Sequence, residues 1–280
     1  MKLNIYFNCL MLACVSLSAY AKKATPPTDT PKVYKLVWAD EFNRNGPPNA
    51  ANWKFENGFV RNNELQWYQQ QNAWCRKGLL VIEARKEHLP NPNYSAQSDN
   101  WRNSRSFIDY TSSSINTAGL HSWKYGRFVM RAKIDTSAGL WPAFWALGVS
   151  GEWPSSGEID MMEYYKKKLL ANIACGTAVR YKAKWYSNSK PISEFTDKKW
   201  ASKFHIWRMD WDEKGISLYV DDFLMNHVDL KDLVNADGSN PFNQPQYLLL
   251  NLALGGDNGG DPSLTKFPRR FEIDYVRVYQ

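Results

Sequence analysis

The chain has 280 residues, of which 44% are hydrophobic and 22% charged, a balance that excludes disorder, collagen-like repeats and small disulfide-stapled scaffolds and leaves room for one large core. Aromatic residues reach 15%, with 13 Trp, 15 Tyr and 13 Phe, which suits a sheet protein with a ring-lined, wet cleft better than a membrane protein. The net charge of +7 comes from 35 basic and 28 acidic side chains without a dense Lys/Arg run, so nucleic acid is not an expected partner.

At the N-terminus, Lys2 precedes a mostly apolar stretch that runs to Leu17 and ends in Ala19-Tyr20-Ala21. That is the pattern of a signal peptide over residues 1–21; it is short for a membrane span and is interrupted by Asn4 and Asn8. Met11-Leu12-Ala13-Cys14 offers a second reading, a lipoprotein signal ending before Cys14, whose lipid would be the only membrane attachment. Both readings imply export, to the periplasm, to the cell surface or into the medium. Residues 22–34, with their Thr and Pro run from Ala24 to Pro31, read as an extended linker, and residues 35–280 as one domain, expected to be a monomer. The domain keeps Cys75 and Cys175, either as one bridge or as two buried thiols.

Within the domain, β-branched and aromatic residues alternate with polar ones over Tyr34–Ala39, Gly78–Ala84, Tyr125–Ile134, Ile159–Tyr165, Phe204–Trp211, Ile216–Val220, Tyr247–Leu254 and Phe271–Tyr279. Period two predicts strands. Asp221-Asp222 separates two such runs as a hairpin turn, and Gly255 to Gly260 forms a glycine-rich loop. Helical periodicity is nearly absent and no repeat is evident, so the expected fold is all-β, two packed antiparallel sheets.

The chemistry concentrates in Gly157-Glu158-Ile159-Asp160-Met161-Met162-Glu163. On a strand, Glu158 and Asp160 share a face. Glu163 falls on the opposite face by regular counting, but one β-bulge at Met161-Met162 returns it to theirs. Three acids on one face repel one another and raise at least one pKa, which suits glycoside hydrolysis, where one carboxylate attacks and a second, protonated one donates to the leaving oxygen. A solvated acidic strand edge is the plainer alternative. The histidines at positions 88, 121, 205 and 227 form no ligand pair at useful spacing.

Three segments together carry a resemblance: Trp141-Pro-Ala-Phe-Trp-Ala-Leu147, Trp153-Pro-Ser-Ser-Gly-Glu-Ile-Asp-Met-Met-Glu163 and Phe271-Glu-Ile-Asp-Tyr-Val-Arg-Val-Tyr279. They resemble glycoside hydrolase family 16 in its laminarinase and mixed-linkage β-glucanase branch, from Val37 to the C-terminus. The resemblance implies a β-jelly-roll sandwich with an open concave cleft and a retaining, endo-acting enzyme that needs no catalytic cofactor. Its substrate would be β-1,3/β-1,4 mixed-linkage glucan and β-1,3-glucan. By position, Glu158 matches the nucleophile, Glu163 the acid/base and Asp160 the residue supporting the nucleophile. Trp141, Trp145 and Trp153 are candidate sugar platforms or core residues. Arg131, Asn251 and Asn63 match positions that hydrogen-bond sugar or nucleophile. A structural calcium on the convex side would take Glu41, the Gly78 carbonyl and Asp274, all oxygen donors. One departure stands out: laminarinase-like members carry histidines where this chain reads Ala174-Cys-Gly-Thr-Ala-Val179. Hydrolysis of a galactan such as agarose or carrageenan, and non-catalytic glycan binding on the same scaffold, are the alternatives, the latter opposed by the intact acid triplet.

Overall fold

The computed structural model describes residues 33–280. The expected signal, Cys14 and all but the last two residues of the expected linker lie outside them. The described chain folds into two β-sheets with only two single-turn α-helices. Every strand expected from alternation is present, with shifted ends: Leu36–Asp40, Leu79–Pro90, Gly126–Lys133, Glu158–Tyr165, His205–Trp211, Gly215–Val220, Gln246–Leu254 and Arg269–Tyr279. The expected hairpin is also there, with Val220 paired to Phe223 and Asp221 at φ 51° between them.

The larger sheet has ten strands and runs from Phe223–Asp229 through His205–Trp211, Gly126–Lys133 and Arg269–Tyr279 to Gln66–Tyr68 at the far edge. Its last pairing, Gln66–Tyr68 with Phe107–Ser112, is parallel, the single exception to the antiparallel expectation among the described pairings. The smaller sheet has seven strands, ordered Ala183–Pro191, Lys168–Gly176, Glu158–Tyr165, Leu140–Gly148, Gln246–Leu254, Ser114–Asn116 and Lys54–Phe55. The acid strand is therefore interior, third from one edge.

Period two explains how the sheets stack. Along Gly126–Lys133 burial alternates strictly: Phe128, Met130 and Ala132 are fully buried and join the core, so Arg127, Arg131 and Lys133 point outward. From the smaller sheet, Phe144, Ala146, Ile159, Met161 and Met162 enter the same core. The other side of that sheet is also largely covered, since Leu140–Gly148 is buried at eight of its nine positions. Two apolar walls thus meet along this strand, one the core and the other the site.

One expectation fails on this geometry. Arg131 belongs to the ten-stranded sheet, faces outward, and donates from Nη1 to Asp274 Oδ2 at 2.5 Å, so it does not reach the acids' side of the other sheet. Two of the three expected calcium ligands, Glu41 and Asp274, have their carboxylates in ion pairs. Arg277 forks the Glu41 carboxylate through Nε and Nη2 at 2.7 and 2.9 Å, and Asp274 holds Arg131. Both carboxylates are held by guanidinium groups, and among the described residues no group of three or more His, Cys, Asp or Glu is arranged to hold a metal. Cys75 and Cys175 are separate buried thiols; burial pushes the Cys75 thiol up to about 12.

Candidate active site

Register places the three acids together. Against the neighbouring Leu140–Gly148 strand, Asp160 pairs with Trp145 and Met162 with Phe144, which leaves Met161 as the extra residue; against Lys168–Gly176, Asp160 pairs with Asn172 and Glu163 with Leu170. This is the bulge expected from parity. Ile159, Met161 and Met162 all enter the core, and Glu158, Asp160 and Glu163 all line one open cleft of about 700 Å³ on the opposite face. Gly157 turns the chain into this strand at φ 82°, where a side chain would be strained and its Cβ would lie 3.0 Å from Pro241 and Phe242.

Cross-strand pairs extend the site into rows. Beside Glu158 lie Leu147 and then Tyr247 on one side, Ala174 and then Trp185 on the other. Beside Asp160 lie Trp145 and Leu249 on one side and Asn172 and Ser187 on the other, and beside Glu163 lie Ala143 and Asn251. The cleft thus runs across the strands.

Each acid has a fixed partner. Trp153 Nε1 donates to Glu158 Oε2 at 2.5 Å and Trp141 Nε1 to Glu163 Oε1 at 2.7 Å. Asn172 Nδ2 donates to Glu163 Oε2 at 2.9 Å and to Asp160 Oδ2 at 3.2 Å. Asp160 hydrogen-bonds both glutamates. Burial is the main force on all three titrations. It raises Glu158 to about 7, against the opposing pull of the Trp153 indole and with a further push from the charge of Glu163. Burial, then the charges of Glu163 and Glu158, hold Asp160 well above the usual carboxylate range. Glu163 is raised by burial and drawn back by its bonds to Trp141, Asp160 and Asn172. Burial and the two flanking charges thus favour the protonated form of Asp160, and the cluster titrates as a unit.

All three tryptophans line the cleft. Trp153 is 37% exposed, whereas Trp141 and Trp145 are 6% and 8% exposed, so the latter two are walls more than open platforms. Trp145 Nε1 donates to Asn251 Oδ1 at 2.7 Å, Asn251 Nδ2 to the Tyr68 hydroxyl at 3.2 Å, and that hydroxyl to Glu64 Oε2 at 3.1 Å. Asn251 is thus in the site as expected, tied into a chain of side chains. Asn63 is not: it donates to Asp257 Oδ1 at 3.0 Å on the exposed side of its loop, and Asn62 lines the cleft instead. Sequence reasoning also missed Arg61, Glu64, Asn172 and Trp185 as cleft residues. Arg61 pairs with Glu56 and lies 5.1 Å over the Trp145 ring. Only alternation about a known acid strand could have flagged Asn172, by its place on the next strand.

The family model described as glycosyl hydrolases family 16 matches residues 59–277. The chain belongs to this family. Among curated family 16 relatives, it is 33% identical to a "Beta-glucanase" of Rhodothermus marinus, a match covering 88% of this chain and 85% of that protein. It is 34% identical to "Glucan endo-1,3-beta-glucosidase A1" of Niallia circulans over 88% of this chain, but it spans only 38% of that longer protein. Among solved structures, one from work on endo-acting O-glycanases that prominent members of the human gut microbiota express to initiate mucin breakdown superimposes with a TM-score of 0.80 at 35% identity, covering 91% of this chain and 94% of that one. The family 16 jelly roll accounts for the two open sheets and for the cleft across one of them.

Proposed function

We propose that the protein is a retaining, endo-acting β-glucanase of the endo-1,3(4) type, exported through its N-terminal segment. The observation that carries this reading is the bulge at Met161, which gathers Glu158, Asp160 and Glu163 on one face of a cleft that crosses the sheet. In the first half-reaction a Glu158 carboxylate oxygen attacks the anomeric carbon as the glycosidic C–O bond breaks, and Glu163 gives its proton to the departing oxygen. In the second, Glu163 takes a proton from water, whose oxygen displaces Glu158 and restores the starting configuration. Glu163 is suited to this alternation because burial favours its protonated form while Trp141 and Asn172 stabilise its anion. Asp160, protonated between the glutamates, donates to Glu158 and disperses the charge left when the covalent bond breaks again.

A second substrate class, β-galactoside chains of the O-glycan type, is favoured by the likeness to the O-glycanase structure and by the stretch Ala174-Cys-Gly-Thr-Ala-Val179, which lacks the histidines of many laminarinase-like members. Incubation with mixed-linkage glucan, laminarin, agarose and mucin O-glycans, followed by product sizing, separates the two. Short oligosaccharides from mixed-linkage glucan support the first reading, and cleavage confined to galactoside chains replaces it with the second. Glu158→Gln is expected to reduce turnover by more than about a thousandfold, and NMR of the first-formed product should show retention. An inverted product would overturn the roles assigned here.

A further inference from the structure

We propose that Arg61, anchored by Glu56, is a steric stop that turns the glycan out of the cleft on the side of the Leu140–Gly148 strand and so limits how many sugars the site grips there. This rests on the glycosidase reading and names what sets the reach of that site. On this side of the acids, Ala143, Trp145 and Leu249 form a small apolar cluster separate from the sandwich core, with Leu147 and Tyr247 packed against it. Ala143, Trp145 and Leu147 line the cleft, so an unobstructed sugar chain would run on over them. Instead the Arg61 guanidinium lies over the Trp145 ring, 5.1 Å from its centroid, and takes an indole face for itself. Trp145 is left only 8% exposed.

The arginine is fixed in that place. It pairs with Glu56, and the two side chains are 22% and 19% exposed, too enclosed for the loose geometry of a surface pair. The other Glu56 oxygen accepts from Ser114 Oγ at 2.5 Å, and the Glu56 backbone N–H donates to the Ser114 carbonyl at 3.0 Å. Ser114 pairs with Asn251, Asn251 with Ala143 and Ala143 with Glu163. The anchor thus stands three strand spacings, about 14 Å, from the acid, and Arg61 leans back from it across Trp145. Both flanks of the arginine are tied down: Arg102 donates to the Val60 carbonyl at 2.5 Å, and the Asp257 N–H to the Asn62 carbonyl at 2.9 Å. A guanidinium fixed over the indole excludes a pyranose from that face by volume. Because the cleft is open, a chain deflected there leaves toward solvent, so the stop is compatible with internal cutting.

The test measures kcat/KM for the full-length protein, Arg61→Ala and Glu56→Ala on a size ladder of oligosaccharides cut from the polymer that the parent cleaves. In the parent, kcat/KM should stop rising at a certain chain length. In Arg61→Ala it should go on rising for at least one further sugar, by about two- to tenfold, the scale of one aromatic contact. Glu56→Ala keeps the cation but cuts its anchor, so it should show a smaller gain at the same length, and it reports even if Arg61→Ala fails to fold. The comparison is between chain lengths within each enzyme, so a general loss of activity cancels. A purely structural role would lower kcat/KM at every length and leave the plateau where it was, and that result overturns the stop. A plateau reached at a shorter length in Arg61→Ala overturns it too, since Arg61 would then be a sugar contact. A parent protein inert on every glycan of the panel removes the glycosidase reading and the stop with it, whereas an active parent whose plateau is unmoved in both variants removes the stop alone.

Discussion

The indole N–H of Trp141 donates to Oε1 of Glu163 over 2.7 Å, from a position two residues along the paired strand from Ala143, the direct partner of Glu163. A residue read from sequence as a sugar platform is thus also a clamp on the proposed acid. The bond favours the ionised carboxylate and opposes the rise that burial imposes.

Trp141→Phe keeps the ring wall and removes the donor. The Glu163 pKa should then move further up, because burial is opposed only by the remaining bonds to Asp160 and Asn172. Since Glu163 must be protonated to assist departure, the alkaline limb of the kcat/KM profile should shift to higher pH. Activity at the optimum should fall by less than the roughly 100-fold or greater loss expected when the acid itself is removed. A limb that stays in place, or moves down, would contradict the clamp.

Glu158 links activity to stability with opposite signs. Its carboxyl is raised from 4.5 to about 7 in the folded protein, so the folded state binds the proton more tightly than the unfolded chain. The associated stabilisation is fully present below about 4.5 and is lost as pH rises through about 7, up to about 3 kcal/mol shared with the coupled Asp160 and Glu163. Over that window kcat/KM should rise, as the nucleophile ionises, while the melting temperature falls. Glu158→Gln should flatten the fall and melt higher than the parent at pH 7. Parallel melting profiles for parent and variant would refute the linkage.

The acid strand was legible in the sequence because its signals are local. Parity and one inserted residue are enough to predict the common face of Glu158, Asp160 and Glu163. Alternation also located Gly126–Lys133, but it cannot say which of two sheets a strand joins, so it gave no check on Arg131, which was matched to a sugar- or nucleophile-binding position and lies on the other sheet. Asn172 and Trp185 were hidden by a different limit. They face the cleft through register with strands that follow the motif, and register between strands is fixed by the packing of a whole face. In the loop ahead of Gln66–Tyr68, Asn62 and Asn63 both have positive φ, at 54° and 50°, so strand parity has no hold there and the neighbour of the predicted residue lines the cleft.

That same loop depends on two arginines from a distant segment. Arg102 donates to the carbonyls of Phe59 and Val60 at 3.1 and 2.5 Å, and Arg105 to those of Glu64 and Asn63 at 2.6 and 2.9 Å. Both guanidinium groups lie 4.7 Å from the Trp101 ring. Arg105→Ala leaves two carbonyls without their charged donor and should destabilise the loop by roughly 1–3 kcal/mol. Hydrogen exchange should quicken at residues 59–65 before the acid strand is affected, and KM should rise because Arg61, Asn62 and Glu64 line the cleft. Unchanged exchange in this loop would show that the arginines do not hold it.

The bulge itself can be tested by deletion. Asp160 pairs with Trp145, Met162 with Phe144 and Glu163 with Ala143, so Met161 alone is out of step with the neighbouring strand. Removing Met161 leaves each of those pairs intact and converts the segment to a regular strand in which the second glutamate stands four residues after Glu158, on the same face by simple alternation. The cost is a buried side chain, 2% exposed, worth roughly 2–5 kcal/mol as a cavity in the core. The single deletion should therefore fold with a lowered melting temperature and keep measurable activity. Deleting Met161 and Met162 together restores the wrong parity: it sends the second glutamate into the core, where an unpaired carboxylate is strongly destabilising, and should abolish both activity and cooperative unfolding. If the single deletion were as damaging as the double one, face selection by the bulge would not be what assembles the site.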